Sequence, residues 1–314
     1  MATYRVAELV TVARDGSPVC WPMAPALEGG RLAFSTGYMY PTKARNARRD
    51  PRVAALFSDP TASGRDDDDP LVLVQGRAEV FDEDIQRNTE RYVDQLLTKG
   101  PPALRLGLRF PLLRAVMAGY LARIWIEVVP EQDHVWPRGS APPAGISEAS
   151  RPSRFEPSGP TTVPSRVLRW LARYRRPPVL SYIAPDGRPA MTRVHAEVRP
   201  DRIRITPQLV THDGAPACLT YHRLIGNYRA NDAFLIRGHF DAAGGLVPER
   251  IVGYGGTVED RGLGSLNLLR LIRRFGEQLP AELARQGHPA IVARPSARTN
   301  VDPRVERGAP SKRR

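Results

Sequence analysis

An internal repeat constrains the fold of this chain more than any other feature of its sequence. Asp15-Gly16-Ser17-Pro18 recurs as Asp186-Gly187-Arg188-Pro189, and segment 31–35 recurs as segment 202–206, in both cases 171 residues further on. A constant offset across successive segments is the mark of a duplicated unit. The chain has 314 residues, enough for two domains that each bury a core. We therefore expect two domains built on one plan.

Each copy is predicted to be a set of short strands joined by turns. Asp-Gly between apolar runs predicts a hairpin, and strands about ten residues apart are typical of a barrel or sandwich. In the first copy, strands are predicted at 8–14, 19–26, 31–35, 53–58, 71–81 and 123–129, with helices at 42–50, 83–97 and 103–120. In the second copy, strands are predicted at 178–184, 190–198, 202–206, 217–222, 234–240 and 252–258, with a closing helix at 263–285.

Two segments rich in proline and basic residues divide the chain further. Residues 138–164 are predicted to be a flexible linker and residues 294–314 a basic disordered tail, so the domains are 1–137 and 165–293. The net charge of +13 is concentrated in and directly after these segments. Residues 138–176 contain eight Arg against two Glu, and the tail contains seven basic residues against two acids. Such charge favours loose contact with polyanions rather than a shaped nucleic-acid surface. No specific nucleic-acid partner is expected, and a nucleic-acid-associated protein is the minor alternative.

The sequence lacks the patterns of membrane-spanning and secreted proteins. The most apolar long stretch, 110–129, is interrupted by three charged residues, and the first residues do not resemble a signal peptide. A cytoplasmic protein without membrane contact is expected. The leucines of the basic helix around Arg105, Arg109 and Arg114 are predicted to pack on the barrel, with contact between this helix and a membrane surface as the alternative. Cys20 and Cys218 have no metal-ligand spacing and are interpreted as core residues. The run Asp66–Asp69 is interpreted as a solvated loop rather than a metal site.

The segment from Phe34 to Phe57 has the composition of a phosphate site. A strand ends at Ser35-Thr36-Gly37, and a short helix with five basic or amide side chains follows from Thr42. A helix N-terminus offers unpaired N–H groups and a partial positive charge, to which hydroxyl and basic side chains add. On these grounds alone, a basic solvated surface helix is the alternative.

Several motifs together give a family resemblance. Asp15-Gly16-x-Pro18, Leu32-Ala33-Phe34-Ser35-Thr36 and Lys43-x-x-Asn46-x-x-x-Asp50-Pro51-Arg52-Val53 are followed by a final strand beginning Arg123-Ile124-Trp125. This series resembles the pyridoxamine 5′-phosphate oxidase-like, FMN-binding split-barrel superfamily. The resemblance implies a mainly β fold with helices, here two tandem split β-barrels joined by the Pro/Ser-rich linker.

The resemblance also implies a cofactor, FMN or the deazaflavin coenzyme F-420, with haem as a further ligand found in the family. By the resemblance, the phosphate lies at the start of the helix, the polyol along the end of the strand, and the ring against the second strand of the barrel. The residues so implied are Lys43, Asn46, Arg48, Arg49 and Thr42 for the phosphate, Ser35, Thr36 and Gly37 for the polyol, and Pro22, Met23 and Ala24 for the ring.

The second copy departs from this pattern, because residues 207–216 contain no Lys or Arg. We expect it to close the site of the first copy in a pseudo-dimer within one chain, with a homodimer of chains also compatible. A flavin-type oxidoreductase that moves a hydride to or from a small organic substrate is expected; a non-catalytic binding protein is the alternative. The sequence contains no recognisable motif for a catalytic nucleophile and its base, so catalytic residues are unassigned. His195, His212, His222 and His239 are interpreted as structural, with a haem ligand as the alternative.

Overall fold

The computed structural model describes residues 4–28, 30–61, 68–100, 102–172, 174, 176–206, 209–225, 230–254 and 264–296. Several sequence predictions therefore fall in part outside the described residues. These are the end of the strand predicted to residue 258, the start of segment 207–216, Asp66 and Asp67 of the acidic run, and the tail from residue 297.

The first domain is a curled antiparallel sheet with one short helix and a helical insertion. Its strands are β1 (Ala7–Val12), β2 (Pro18–Met23), β3 (Ala26–Glu28), β4 (Arg31–Gly37), β5 (Arg52–Phe57), β6 (Leu71–Phe81) and β7 (Arg123–Trp136). Its helices are α1 (Thr42–Arg49), α2 (Ile85–Lys99), α3 (Pro102–Gly107), α4 (Pro111–Val116) and α5 (Ala118–Leu121). Helices α2 to α5 form the insertion between β6 and β7.

The second domain repeats the sheet. Its elements, in chain order with the segment that precedes it, are β8 (Glu148–Ala149), α6 (Ser165–Leu171), β9 (Val179–Ile183), β10 (Pro189–Arg193), β11 (His195–Val198), β12 (Ile203–Thr206), β13 (Val210–Thr211), β14 (Pro216–Ile225), β15 (Ala230–Phe240), β16 (Leu246–Tyr254) and α7 (Gly264–Arg285). The strand predicted at 190–198 is two strands separated at Val194, since β10 pairs with β9 and β11 pairs with β12.

The two sheets have the same strand order, which confirms the duplicated plan. The first sheet runs β2-β1-β5-β6-β7-β4-β3, and the second runs β10-β9-β14-β15-β16-β12-β11. The turn glycines Gly16 and Gly187 both have positive φ, 86° and 81°, as the Asp-Gly turns require. Each sheet also has a bulge at an equivalent glycine, between Gln75 and Gly76 and between Arg237 and Gly238.

The two domains pack against each other through these sheets. Cys20 Sγ lies 3.6 Å from Met191 Sδ, and these two residues are 171 positions apart, which is the offset of the repeat. Equivalent positions contact each other where a two-fold axis passes between them. One hydrophobic core around this pair contains β1, β5 and β6 residues of the first domain together with β9, β14 and β15 residues of the second. A separate core fills the first barrel.

The bulge glycines give a testable prediction. A Cβ on Gly76 would overlap the carbonyl oxygen of Val129, and one on Gly238 would overlap that of Val247. We expect Gly76→Ala and Gly238→Ala each to lower the free energy of unfolding by about 2–3 kcal/mol, since the neighbouring backbone must shift. Urea denaturation measures this. Gly159→Ala is the control, because its Cβ would have no heavy atom within 4 Å; equal effects at all three positions would contradict the bulge geometry.

The segment predicted to be a flexible linker instead packs along the second domain. Ile146, Ala149, Phe155 and Val163 are buried, and β8 pairs in parallel with β13. Backbone hydrogen bonds also fix the segment, including the one from Val163 N to the Pro200 carbonyl at 2.6 Å. A flexible linker was predicted because the segment has no periodic pattern of apolar residues. Four separate apolar side chains are nevertheless buried, and isolated contacts of this kind do not require a periodic pattern.

The helical insertion also differs from its prediction. The single helix predicted at 103–120 is three short helices, α3 to α5; α4 begins at Pro111, which cannot continue a preceding helix. The leucines predicted to pack on the barrel differ in burial: Leu108 and Leu121 are buried, whereas Leu112 is 78% exposed. Among the described residues, no helix has the length and apolar character to cross a membrane.

Candidate functional site

The connection from β4 to α1 positions the predicted phosphate segment. The Thr36 hydroxyl donates to the Tyr40 carbonyl at 3.1 Å, which fixes the turn between the strand and the helix. Helix α1 ends at Arg49, with Asp50 as its C-cap, because Pro51 cannot continue it. Two arginines in the last turn suit the negative end of the helix dipole. Lys43, in contrast, lies in the first turn, where the dipole disfavours a cation and favours an anion.

Lys43 is half-buried and has an unusual environment for a lysine. Its Nζ lies 4.9 Å from the centroid of the Trp21 ring on β2. Burial, with a smaller contribution from the positive charge of Arg123, lowers the pKa of Lys43 to about 8. Among the described residues, no carboxylate lies within 4 Å of this ammonium group. An anion bound here would restore the pKa by balancing the charge.

Arg123 supplies a second positive charge to the same region. It begins β7, opposite Gly37 in the pairing with β4, and it is only 9% exposed. A Cβ on Gly37 would lie 2.9 Å from Arg123 Nη1, so the guanidinium extends across the end of β4 where only glycine leaves room. The guanidinium carbon lies 3.9 Å from the Tyr92 ring centroid and 4.8 Å from that of Tyr120. These contacts hold the guanidinium in place by cation–π attraction.

The other basic and amide residues predicted on α1 have partners elsewhere. Asn46 is buried and donates to Thr11 Oγ1 at 3.2 Å, and its own oxygen accepts from Arg49 Nη2 at 2.9 Å. The same Arg49 nitrogen donates to the Val12 carbonyl. Arg48 forms an ion pair with Asp82 at 2.5 Å. The structure thus places Arg123 near Lys43 and across Gly37, and directs these three side chains to β1 or to the end of β6.

The remaining predicted residues differ in how far they are exposed. The second strand of the barrel is the one that carries Trp21, beside the residues predicted to contact the ring. Ser35, Gly37, Pro22 and Ala24 are half-buried, Thr36 and Met23 are buried, and Thr42 is exposed. Trp21 and Arg123 were not among the predicted site residues. The aromatic residue next to Pro22 was a usable signal, whereas the pairing of Gly37 with Arg123 joins positions too far apart for sequence inspection.

The second domain covers this region with its last helix. The Phe275 ring on α7 meets the Tyr40 ring edge to face at 4.9 Å, and His288 meets Tyr38 at 5.9 Å. A Cβ on Gly119 of α5 would overlap the backbone of Phe275, so α5 and α7 touch directly. The side chains of Leu279 and Leu283 join the core of the first barrel. The β4–α1 turn therefore lies beneath a helix from the other half of the chain.

A second concentration of charge lies buried between the two domains. Glu8 Oε1 accepts from Arg193 Nη2 at 2.8 Å and contacts His222 Nε2 at 2.6 Å. The Ser58 hydroxyl also bonds to Glu8, and Asp59 lies 3.7 Å from His222 Nδ1. Burial by itself would raise the pKa of Glu8 and of Asp59, but Arg193 and His222 outweigh it and lower both. These groups join β1 and the end of β5 to β10 and β14; we call them the interdomain charge cluster.

Three of the four histidines singled out in the sequence lie beside a carboxylate, and both cysteines are buried. His222 belongs to the interdomain charge cluster, His212 lies 2.7 Å from Glu148, and His239 lies 2.7 Å from Glu249. His195 is exposed at the start of β11. Cys20 and Cys218 are both buried free thiols, as expected of core residues.

Comparison with known proteins finds a family similar to the first domain. Residues 2–108 match the family described as pyridoxamine 5′-phosphate oxidase. No curated protein matches the chain. Similar solved structures include a conserved hypothetical protein from Mycobacterium tuberculosis, 25% identical, covering 43% of this chain and 78% of its own, with a TM-score of 0.32.

Two further similar structures are an F-420 reductase and a haem storage protein from Vibrio cholerae. The first is 24% identical and covers 41% of this chain and 87% of its own; the second is 14% identical and covers 42% and 85%. Both have a TM-score of 0.28. With scores this low, neither is used to argue for an activity or a ligand.

The chain is thus a mainly β protein made of two half-barrel sheets with one strand order. Its first domain matches the pyridoxamine 5′-phosphate oxidase family over residues 2–108, and its second sheet, with the same strand order, fits a second copy of that unit.

Proposed function

We propose that the first domain binds a flavin-type cofactor, FMN or the deazaflavin F-420, and that the protein moves a hydride between this cofactor and a small organic substrate. The observation that carries the proposal is the environment of Lys43. A half-buried ammonium with a pKa lowered to about 8, close to a second cation, is held at a cost in the absence of an anion. Groups arranged at such a cost are concentrated at functional sites.

The donors fit the phosphate of FMN. Lys43 and Arg123 together carry two positive charges, which match the charge of a phosphate monoester near neutral pH. Arg123 offers a planar guanidinium suited to two phosphate oxygens, and Lys43 offers a point charge. The positive end of α1 adds to both. We therefore assign the phosphate to Lys43 and Arg123, with Gly37 providing the space, and leave Asn46, Arg48 and Arg49 to their partners in the barrel.

The ring of the cofactor is proposed to lie toward Trp21 and Pro22. Trp21 packs against both the core of the first barrel and the core between the domains, so β2 runs along the junction of the two halves. A flat aromatic system can stack on an indole ring or on the half-buried Pro22. Helix α7 would exclude water from the phosphate side through Phe275. The second domain thus takes the part that a second subunit would have in a dimer of single barrels.

The cofactor, when bound, supplies the hydride-transfer chemistry, and the chain supplies binding, orientation and a dry environment. This division agrees with the side chains around Lys43, which include no described nucleophile–base pair.

Reduction of the bound cofactor distinguishes an enzyme from a carrier. Protein loaded with FMN or F-420 is mixed anaerobically with NADH or NADPH, and the visible absorbance of the cofactor is followed. We expect loss of the oxidised absorbance, and its return when an electron acceptor is added. A loaded protein whose cofactor stays oxidised with either nicotinamide, while free cofactor is reduced by dithionite in the same buffer, would favour a non-catalytic binding protein.

A further inference from the structure

Apolar side chains are unusually exposed on one part of the helical insertion. Leu106 and Phe110 are each 60% exposed, Leu112 is 78% exposed and Val116 is 54% exposed. With Leu113 they lie within eleven consecutive residues on α3, α4 and the turn between them. Single exposed apolar residues need no explanation, but a contiguous group marks an interaction site. We call this group the insertion patch.

In the chain segment that carries the insertion patch, the charged residues all have one sign. No acidic residue occurs between Asp94 and Glu127, and this stretch contains five basic residues. Arg105 and Arg109 are exposed beside the patch, and within the described part of the chain neither has an ion-pair partner. Arg114 turns inward instead and donates to the carbonyls of Leu108 and Ala293. On the adjoining segment, Arg294 pairs with Glu90, so this acid is already neutralised.

We propose that the insertion patch binds the surface of a membrane that contains anionic lipids. A short segment with bulky apolar side chains and flanking arginines, and without acids, is suited to lie at the boundary between headgroups and acyl chains. Phe110, Leu112 and Val116 enter the apolar layer, while Arg105 and Arg109 contact phosphate groups. The protein then associates with the membrane at its surface, contrary to the expectation from sequence that it makes no membrane contact.

The same charges argue against a second copy of the chain as the occupant. In a symmetric contact each patch meets itself, so Arg105 and Arg109 of one chain would face the same residues of its partner. The stretch offers no carboxylate to pair with them. Anionic lipid headgroups supply that negative charge.

Vesicle flotation with the full chain tests the proposal. We expect the protein to float with vesicles of phosphatidylcholine and phosphatidylglycerol, and to bind about tenfold less to phosphatidylcholine alone, because part of the affinity is electrostatic. Phe110→Ser with Leu112→Ser should lower binding to the mixed vesicles about tenfold or more. Val210→Ser, which removes an apolar side chain 60% exposed on the second domain, should leave it unchanged.

Two results would overturn the proposal. One is recovery of the protein in the bottom fraction with both kinds of vesicle. The other is a wild-type dimer in light scattering that becomes a monomer in the Phe110→Ser, Leu112→Ser variant, since the patch would then be an interface between chains. Because these side chains are exposed, the variant should keep the wild-type urea midpoint, and that measurement confirms that it is folded.

Discussion

Replacing Lys43 with Met is expected to weaken FMN binding about 100-fold and, at the same time, to stabilise the cofactor-free protein. The loss corresponds to about 2–3 kcal/mol, the contribution of a hydrogen bond to a charged group. The gain follows from the lowered pKa. Because the folded state disfavours the charged form of Lys43, removing the charge should raise the free energy of unfolding at neutral pH by about 1–2 kcal/mol. Fluorescence titration with FMN and urea denaturation measure the two effects.

The pH dependence separates this account from a general loss of structure. The destabilisation by charged Lys43 is present in full below its folded pKa of about 8 and disappears above the unfolded value of about 10.4. The difference in free energy of unfolding between Lys43→Met and the wild type should therefore vanish over that pH range. FMN affinity of the wild type should fall as the pH rises through about 8, while Lys43→Arg should keep its affinity.

Arg48→Met is the matched control for Lys43→Met. It removes the same charge from the same helix, but Arg48 is paired with Asp82 on the far side. We expect at most a threefold change in FMN affinity, by the rough scale of a surface ion pair. If Arg48→Met weakened binding as much as Lys43→Met, the phosphate would have to lie on the outer face of α1, and our assignment of the site would be wrong.

Replacing Glu8 with Ala is expected to produce the largest loss of stability of any single change in the chain. Glu8 is fully buried and balances Arg193, whose side chain is 6% exposed. Removal leaves a buried guanidinium without its carboxylate, which costs about 3–5 kcal/mol. Since Glu8 belongs to the first domain and Arg193 to the second, the loss should act on the association of the two domains. Urea denaturation followed by both fluorescence and circular dichroism measures it.

Two further variants define the origin of this loss. Glu8→Gln keeps hydrogen-bonding capacity but removes the charge, and should cost less than Glu8→Ala. Glu8→Leu combined with Arg193→Met removes both charges, and should recover much of the stability, since apolar replacements of a buried pair are often tolerated. If the double variant lost more free energy of unfolding than the two single variants lose in total, the two charges would not be acting as a pair.

The acid sensitivity of the domain interface follows from the same cluster. The folded-state pKa values of Glu8 and Asp59 are lowered, so their stabilising contribution is present above the unfolded pKa of about 4 and is lost as the pH falls through the folded values. Below about pH 4, wild-type stability should therefore approach that of Glu8→Gln.

The sequence predicted the sheets well because their information is local. Hairpin turns such as Asp15-Gly16 indicate where strands begin, and the constant offset of the repeat allowed the strands predicted in one copy to support those predicted in the other. The helix from Thr42 was equally clear, because Pro51 marks its end. The structure of the helical insertion was harder to predict. Periodic leucines indicate a helix, but they do not indicate which leucines are buried against another element.

The site was only partly predictable because its key contacts join distant positions. Lys43 was recognised from the family motif, but its neighbour Arg123 comes from a strand that follows the whole insertion. The partners of Arg48 and Arg49 likewise depend on where β6 and β1 lie in space. The interdomain charge cluster was invisible for the same reason, since Glu8 and His222 are 214 residues apart and come from different copies.

The number of cofactors bound per chain tests the central claim most directly. Calorimetric titration of the purified protein with FMN, and separately with F-420, gives this stoichiometry. The account predicts one site per chain for the cofactor that binds, because the first copy has Lys43 after its fourth strand, whereas the corresponding residues 207–216 of the second copy contain no Lys or Arg. Two sites per chain would show that the second copy is also a binding unit, and no binding of either cofactor would contradict the proposed function.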